Sequence, residues 1–401
     1  MMIRVRKSHI TGKVDAIVSK SFAHRIAICN FLAKSGTILP CDDSYSDDIK
    51  ATVRCLEAIK SGKTQLDCGE SGSTLRFMLP LCAAIGGTFE FLGHGKLMER
   101  PNAELFSALE NNGIKLEQGK TIKLIKLSGK LKSGQYKIRG DISSQYISGL
   151  LMALPILEGD SRIVLTTPMV STGYIDITLK VLKEYGITPI RTGDGFIVKG
   201  GQTFKGSMDV EGDWSNAAPF LCMGAIFDKV SVGGLNLNSV QGDKFIIDIL
   251  KMAGADVKQK DGLVTVVQTD KLKAFSFNAE NCPDLVPVAS ALAAFCDGKT
   301  EIYGVERLKI KESDRIASTI KMLEGFNIKA DYDGQKITVF GGEALAGKVD
   351  SFNDHRIVMA STILALAADG ESQIWGYKAI NKSFPQFFEC VKAIGGDFDA
   401  M

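Results

Sequence analysis

The sequence predicts an α/β protein of two domains, each assembled from three copies of one supersecondary unit. Two observations carry that prediction. A polar turn opens a helix rich in small residues six times along the 401-residue chain: Ser19-Lys20-Ser21, Glu70-Ser71-Gly72-Ser73-Thr74, Ser143-Ser144-Gln145, Asp213-Trp214-Ser215-Asn216, Pro283-Asp284 and Asn353-Asp354-His355-Arg356. The spacing is roughly 70 residues, longer than that of the usual solenoid repeats. Second, the N-terminal ITGKVDAIVSK resembles LAGKVDSFND, the strand before the sixth turn, so the first residues are expected to complete the second domain. The boundaries fall near Ser19 and Glu211, giving domains 19–210 and 1–18 plus 211–401. No Pro-, Gly- or Ser-rich linker joins them, so the connections are short hinges.

Taken in order, each unit starts with a helix such as FAHRIAICNFLAKSG, STLRFMLPLCAAIGG, QYISGLLMALPILEG or HRIVMASTILALAADG. A short strand follows: TFEFLGHG, SRIVLTTP, SVGGLN, TEIYGVE and SQIWGYK. Next comes an amphipathic helix with apolar residues at i, i+3, i+4 and i+7. AELFSALENNG, DITLKVLKEYG, KFIIDILKMAG, DRIASTIKMLEG and PQFFECVKAIGG are these helices, and their final glycines suit a left-handed cap. Hairpin-like strands close most units, as ADYDGQKITVF does. The first unit is shorter and lacks the hairpin, and the last is expected to have no strand after its final helix.

Composition narrows the function. Acidic and basic residues nearly cancel, at a net charge of +2, so no global field draws the chain to nucleic acid or membrane. The nine cysteines are scattered without a CxxC pair, which predicts reduced thiols and neither disulfides nor a metal site. Met1 to Ser8 is basic but no apolar run follows, so no signal peptide is expected. The longest apolar stretch, Ile147 to Leu157, is too short to span a bilayer. A soluble cytoplasmic protein is the expectation.

Helices that start at Ser, Thr, Asp or Asn offer unpaired N–H groups and a positive dipole end to an anion. Lys20, Ser21 and Arg25 put two cations and a hydroxyl at one such start, with Arg25 a turn beyond Ser21. Gly72 allows close backbone approach, and Arg76 could fork onto a carboxylate or phosphate. Ser143, Ser144 and Gln145 precede a very apolar helix that needs no such set of polar groups merely as a cap. Ser171 and Tyr174 could add hydroxyls, although capping explains them equally well. Asp284 and Asp354 are ordinary cap residues in isolation. KESDR, Lys311 to Arg315, is the densest charge cluster at a second-helix start and a candidate acid/base site. Arg100 and Lys382 stand before helices in the equivalent place of their own units. It is the regularity of Lys20, Arg76, Arg100, Lys311, Arg315, Arg356 and Lys382 along the repeats that separates them from scattered surface charge.

These motifs resemble, over the whole chain, the 5-enolpyruvylshikimate-3-phosphate (EPSP) synthase family of enolpyruvyl transferases. SKSFAHR is similar to the family's S-K-S-x-x-x-R and ESGSTLR to its glycine loop; SSQ, PD, KESDR, NDHR and the lysine of NKSFP follow in family order. The resemblance implies an inside-out α/β barrel fold, six βαβαββ units, three per domain, closing over the substrates. It implies a monomeric transferase without metal or organic cofactor, moving enolpyruvate from phosphoenolpyruvate to the 5-hydroxyl of shikimate 3-phosphate. Ser143, Ser144 and Ser171 would hold the shikimate phosphate and Ser21 and Arg25 its carboxylate, with Lys20, Gln145, Tyr174, Asp284 and Lys311 nearby. Lys20, Gly72, Arg100, Gln145, Arg315, Arg356 and Lys382 would hold phosphoenolpyruvate. Asp284 would be the base, and Glu312 or Lys20 the acid. Glu70, Arg307 and Ala16-Ile17-Val18 depart from the commonest family pattern. Glyphosate inhibition is expected because Gly72 is retained. The alternatives are the sister transferase acting on UDP-N-acetylglucosamine, whose loop cysteine is missing from GHGKLMERPN, and a non-catalytic anion-binding repeat protein.

Overall fold

The computed structural model describes residues 1–119 and 124–401. The chain forms two compact parts, residues 1–18 with 211–401 and residues 19–210.

Strands β1 (Met2–Arg6) and β2 (Thr11–Asp15) open the chain, and the short first unit is α1 (Lys20–Leu32) and α2 (Asp47–Lys60). The second unit is β3 (Gln65–Asp67), α3 (Gly72–Ile85), β4 (Gly87–Leu92), α4 (Ala103–Glu110), β5 (Ile114–Gln118) and β6 (Leu124–Gly129). The third is β7 (Gln135–Ile138), α5 (Ser144–Ala153), β8 (Ser161–Leu165), α6 (Thr172–Glu184), β9 (Ile190–Thr192) and β10 (Gly195–Val198). The fourth is α7 (Trp214–Ile226), β11 (Lys229–Gly233), α8 (Ile246–Met252), β12 (Asp256–Lys260) and β13 (Leu263–Val267). The fifth is β14 (Ser276–Asn278), α9 (Val286–Ala293), β15 (Lys299–Tyr303), α10 (Arg315–Gly325), β16 (Ala330–Tyr332) and β17 (Lys336–Phe340). The sixth is β18 (Lys348–Asp350), α11 (His355–Ala367), β19 (Glu371–Trp375), α12 (Phe387–Ala393) and β20 (Asp397–Ala400).

Among the described residues five four-stranded sheets share one order: β3-β4-β6-β5, β7-β8-β10-β9, β2-β11-β13-β12, β14-β15-β17-β16 and β18-β19-β1-β20. In each, the first pair is parallel and the rest antiparallel. The N-terminal strands complete two of these sheets. β2 lies parallel to β11 as β18 does to β19, and β1 takes the third place between β19 and β20. β20 corrects the expectation that nothing strand-like follows the last helix; its polar sequence DFDA hides the signal, and the ladder to β1 supplies the stability. The first unit lacks a sheet of its own among the described residues, because a turn-rich polar stretch around Asp42–Ser46 replaces the expected strand.

The helices that follow the polar turns are the core. Every residue of α7 is buried, as are nearly all of α3, α5 and α11, which is what a helix apolar on all faces must do. Four of them are capped at their starts, by Ser71, Ser143, Asp213 and Asp354, each accepting a backbone N–H of the first turn. One expected cap shifts. Gly325 stays inside α10 because a Cβ there would strike the Val349 side chain, and Asn327 (φ 62°) makes the left-handed turn instead. The nine cysteines are all free, Cys41 and Cys390 half-buried and the other seven buried. Among the described residues no helix is long and apolar enough to cross a membrane.

Candidate active site

In the domain 19–210 the starts of α1, α3 and α5 carry the polar groups. Lys20 Nζ pairs with Asp48 Oδ2 at 3.0 Å, both largely buried. Arg25 is only 3% exposed. Its Nε donates to Thr178 Oγ1 (2.6 Å), Nη1 to the Ser21 carbonyl (2.7 Å), and Nη2 to Ser148 Oγ (3.2 Å) and the Tyr174 carbonyl (3.1 Å). Burial lowers its pKa to about 10. Arg25 thus ties α1 to α5 and α6, with four of its five N–H donors committed among the described residues.

Arg76 turns out not to be an exposed anion fork. It is buried over the Tyr146 ring, with Nε on Asn102 Oδ1 (3.1 Å), Nη1 on Gln145 Oε1 (2.7 Å) and Nη2 on the Pro101 carbonyl (2.8 Å). Sequence spacing showed its turn but not its direction. Gln145, held this way, donates from Nε2 to Ser73 Oγ at 2.8 Å. Asn102 in turn donates to the Arg100 carbonyl at 3.1 Å, so Arg76 fixes the strand of chain that carries Arg100. The Arg100 guanidinium lies over Gly72: a Cβ there would be 2.5 Å from Nη1 and 3.0 Å from Cζ. Arg100 Nε is buried with no hydrogen-bond partner among the described residues. Ser143 accepts the Gln145 N–H, Ser144 is the buried first residue of α5, and Ser171 is buried in a left-handed conformation (φ 53°) before α6. A non-glycine residue in that conformation is costly and is typical of functional positions.

In the domain 1–18/211–401, Arg315 is a hub, 1% exposed. It donates from Nη1 to Asp284 Oδ1 (2.6 Å), from Nη2 to Glu312 Oε2 (2.7 Å), and from Nε to Asp354 Oδ2 (2.8 Å). KESDR is therefore an inward-facing cluster at its arginine. Asp354 also accepts the Arg356 N–H (2.9 Å) and the Ser313 hydroxyl (3.0 Å). Lys311 Nζ is 3.9 Å and Arg356 Nη2 3.4 Å from Asp284. Burial works against the Asp284 carboxylate, but Arg315, Lys311 and Arg356 together outweigh it and hold the group well below the usual carboxylate range. Burial lowers Lys311 to about 8, with Asp284 opposing and Arg315 assisting. Lys382 closes a 3₁₀ turn and donates to the Asn353 carbonyl at 3.0 Å. Arg356 is 2% exposed, and its Nε and Nη1 have no hydrogen-bond partner among the described residues.

Two residues of these clusters escaped sequence reasoning: Asp48, paired with Lys20, and Asp243, buried and bonded by the Ser215 hydroxyl. Asp48 lies in the first turn of the second helix of its unit and Asp243 in the 3₁₀ turn just before it, close to the place already marked by KESDR and NKSFP, so the repeat register was the signal that could have found them.

A family model described as EPSP synthase (3-phosphoshikimate 1-carboxyvinyltransferase) matches residues 54–391. The chain is 37% identical to the 3-phosphoshikimate 1-carboxyvinyltransferase of Clostridium beijerinckii, covering 99% of this chain and 98% of that protein. It is 38% identical to the enzyme of the same name from Clostridium botulinum strain Alaska E43, covering 98% of each. In fold it is similar to EPSP synthase of Acinetobacter baumannii (TM-score 0.80, 22% identity, all of both chains). It is also similar in fold to the enolpyruvyl transferase NikO of Streptomyces tendae (TM-score 0.77, 13% identity, 99% of this chain and 98% of that one). The ordered motifs, the repeated α/β architecture and the full-length similarity agree: the chain belongs to the EPSP synthase family, the 3-phosphoshikimate 1-carboxyvinyltransferases.

Proposed function

We propose that the chain transfers the enolpyruvyl group of phosphoenolpyruvate to the 5-hydroxyl of shikimate 3-phosphate, releasing phosphate, by the residues placed above. The observation that carries this reading is Arg356: a guanidinium 2% exposed, beside the Asp284 carboxylate, whose Nε and Nη1 are unpaired among the described residues. Leaving buried charged donors unmade is costly, and an oxyanion is the group that satisfies such a fork. Lys20, Gly72, Arg100, Gln145, Arg315, Arg356 and Lys382 are assigned to phosphoenolpyruvate. Ser143, Ser144 and Ser171 are assigned to the shikimate phosphate and Ser21 and Arg25 to its carboxylate. Lys20, Gln145, Tyr174, Asp284 and Lys311 are assigned to the rest of that substrate.

The chemistry follows from this inventory. Asp284 takes the proton of the 5-hydroxyl as its oxygen bonds to C2 of phosphoenolpyruvate, while the methylene carbon gains a proton from Glu312 or Lys20. A tetrahedral ketal phosphate results. Loss of a proton from the new methyl group then expels phosphate and restores the enol ether. Three cations make Asp284 a weak base on its own; an anion bound to those cations offsets their charge and raises its basicity when substrate is present. The same cations stabilise the phosphate that leaves. The reading includes a monomeric cytoplasmic enzyme that acts on these small molecules without nucleic acid. Phosphate release from phosphoenolpyruvate is the test. Release only when shikimate 3-phosphate is added supports the reading. Release with UDP-N-acetylglucosamine instead, or with neither acceptor, refutes it.

A further inference from the structure

Asp243 stands outside the machinery assigned above, yet it is buried at the same cluster. It is 5% exposed in the 3₁₀ turn Gly242–Phe245, and Ser215, in the first turn of α7, donates its hydroxyl to Oδ2. Gly242 packs so closely on the Asn281 carbonyl that a Cβ would collide with it, which brings Asp243 against the turn that carries Cys282 and Asp284. The groups that face Asp243 electrostatically are Asp284, Arg356 and Asp213, and it acts in turn on the Cys282 thiol. Its neighbour Lys244 is turned away, onto the Leu237 carbonyl at 2.9 Å. Arg356 accordingly feels three carboxylates, Asp284, Asp213 and Asp243, and of these Asp284 is the one its side chain hydrogen-bonds among the described residues.

We propose that Asp243 is a positioning residue that sets the charge available at Arg356: carrying its proton, it leaves the guanidinium to the anionic substrate, and as a carboxylate it cancels that charge. The chemistry of the surroundings fits. Burial, and then repulsion from Asp284, pushes the Asp243 carboxyl up to about 7, with Arg356 and the Ser215 hydroxyl pulling the other way. Near neutrality the site therefore passes from a protonated form that favours an oxyanion on Arg356 to an ionised form that competes with it. This rests on Arg356 binding phosphoenolpyruvate, as proposed above.

The experiment is the KM for phosphoenolpyruvate from pH 6 to pH 8.5 at saturating shikimate 3-phosphate, for the parent, Asp243→Asn and Ser215→Ala. The parent's KM is expected to rise several-fold as pH passes neutrality. Asp243→Asn, fixed in the neutral form, loses that rise. Ser215→Ala removes a bond that favours the carboxylate and moves the rise to higher pH, a shift that a merely structural role would not produce. A profile in Asp243→Asn that superimposes on the parent's overturns the proposal, as does an unmoved rise in Ser215→Ala should the first variant not fold. A parent without shikimate 3-phosphate-dependent phosphate release instead overturns the functional reading, which keeps the two failures apart.

Discussion

Replacing Gly72 by alanine tests the link between the glycine loop and Arg100. The added Cβ would stand 2.5 Å from Arg100 Nη1 and 3.0 Å from Cζ, where ordinary contact begins at 3.4 Å. The guanidinium must withdraw by roughly 1 Å to relieve this overlap. The backbone need not move: Gly72 is the first residue of α3 and lacks the left-handed φ that would exclude alanine. Alanine also favours a helix over glycine, so thermal stability should be unchanged or slightly raised. With Arg100 assigned to phosphoenolpyruvate as proposed above, the expected loss is one charge-assisted bond, about 1.5–3 kcal/mol. That converts to a KM for phosphoenolpyruvate raised by roughly ten- to 150-fold, with the KM for shikimate 3-phosphate little altered. Phosphate-release kinetics on Gly72→Ala, Arg100→Met and the double variant measure it. If the glycine acts through Arg100, the double variant is no worse than Arg100→Met. An unchanged KM in Gly72→Ala, or strictly additive losses, would refute the reasoning.

Further expectations follow from the two clusters. Arg76→Leu strands the Gln145 and Pro101 acceptors and should cost on the order of 3 kcal/mol in denaturant unfolding, with KM raised for both substrates; an unaffected KM would remove Arg76 as the support of Gln145. Asp284, depressed by its cations, contributes stability that is present above the ordinary carboxylate value and lost as pH falls through its lower folded value. Asp284→Asn should thus be about 3–5 kcal/mol less stable at pH 7, and the deficit should shrink progressively in acid; equal unfolding at pH 7 contradicts this. Lys311, lowered to about 8, loses its charge above that pH, so the KM for shikimate 3-phosphate should rise on the alkaline side. Lys311→Arg, charged throughout, should flatten that limb, and an identical limb in both proteins would exclude Lys311 as its source.

Much of the architecture was legible because each unit repeats the same physical instructions: a cap, an apolar helix, a short strand, an amphipathic helix. The family resemblance was legible because its motifs sit at the helix starts and are short and ordered. Less legible was anything decided by direction. Arg76 read as a fork open to an anion, whereas packing turns it onto Gln145 and Asn102, and the charge run around Arg315 did not disclose that its guanidinium also bonds three carboxylates. β20 was missed because its pairing partner lies at the opposite end of the sequence. Asp243 was missed because a lone acidic residue after Gln-Gly has no local pattern; its burial comes from the Gly242–Asn281 approach.

The place of β1 also bears on how the chain is made. It leaves the ribosome early, yet its neighbours are β19 and β20, and Arg6 meets Asp397 across 391 positions. Residues 19–210 are contiguous and can fold as soon as they emerge, because domains fold as units during synthesis. β1 cannot; its apolar Ile3 and Val5, fully buried at the end, wait without a sheet while nearly the whole protein is translated. An unpaired apolar strand is an invitation to wrong partners. The interleaved domain should therefore be the late and chaperone-dependent step of biogenesis, and the nascent chain most exposed to aggregation just before its last strands appear.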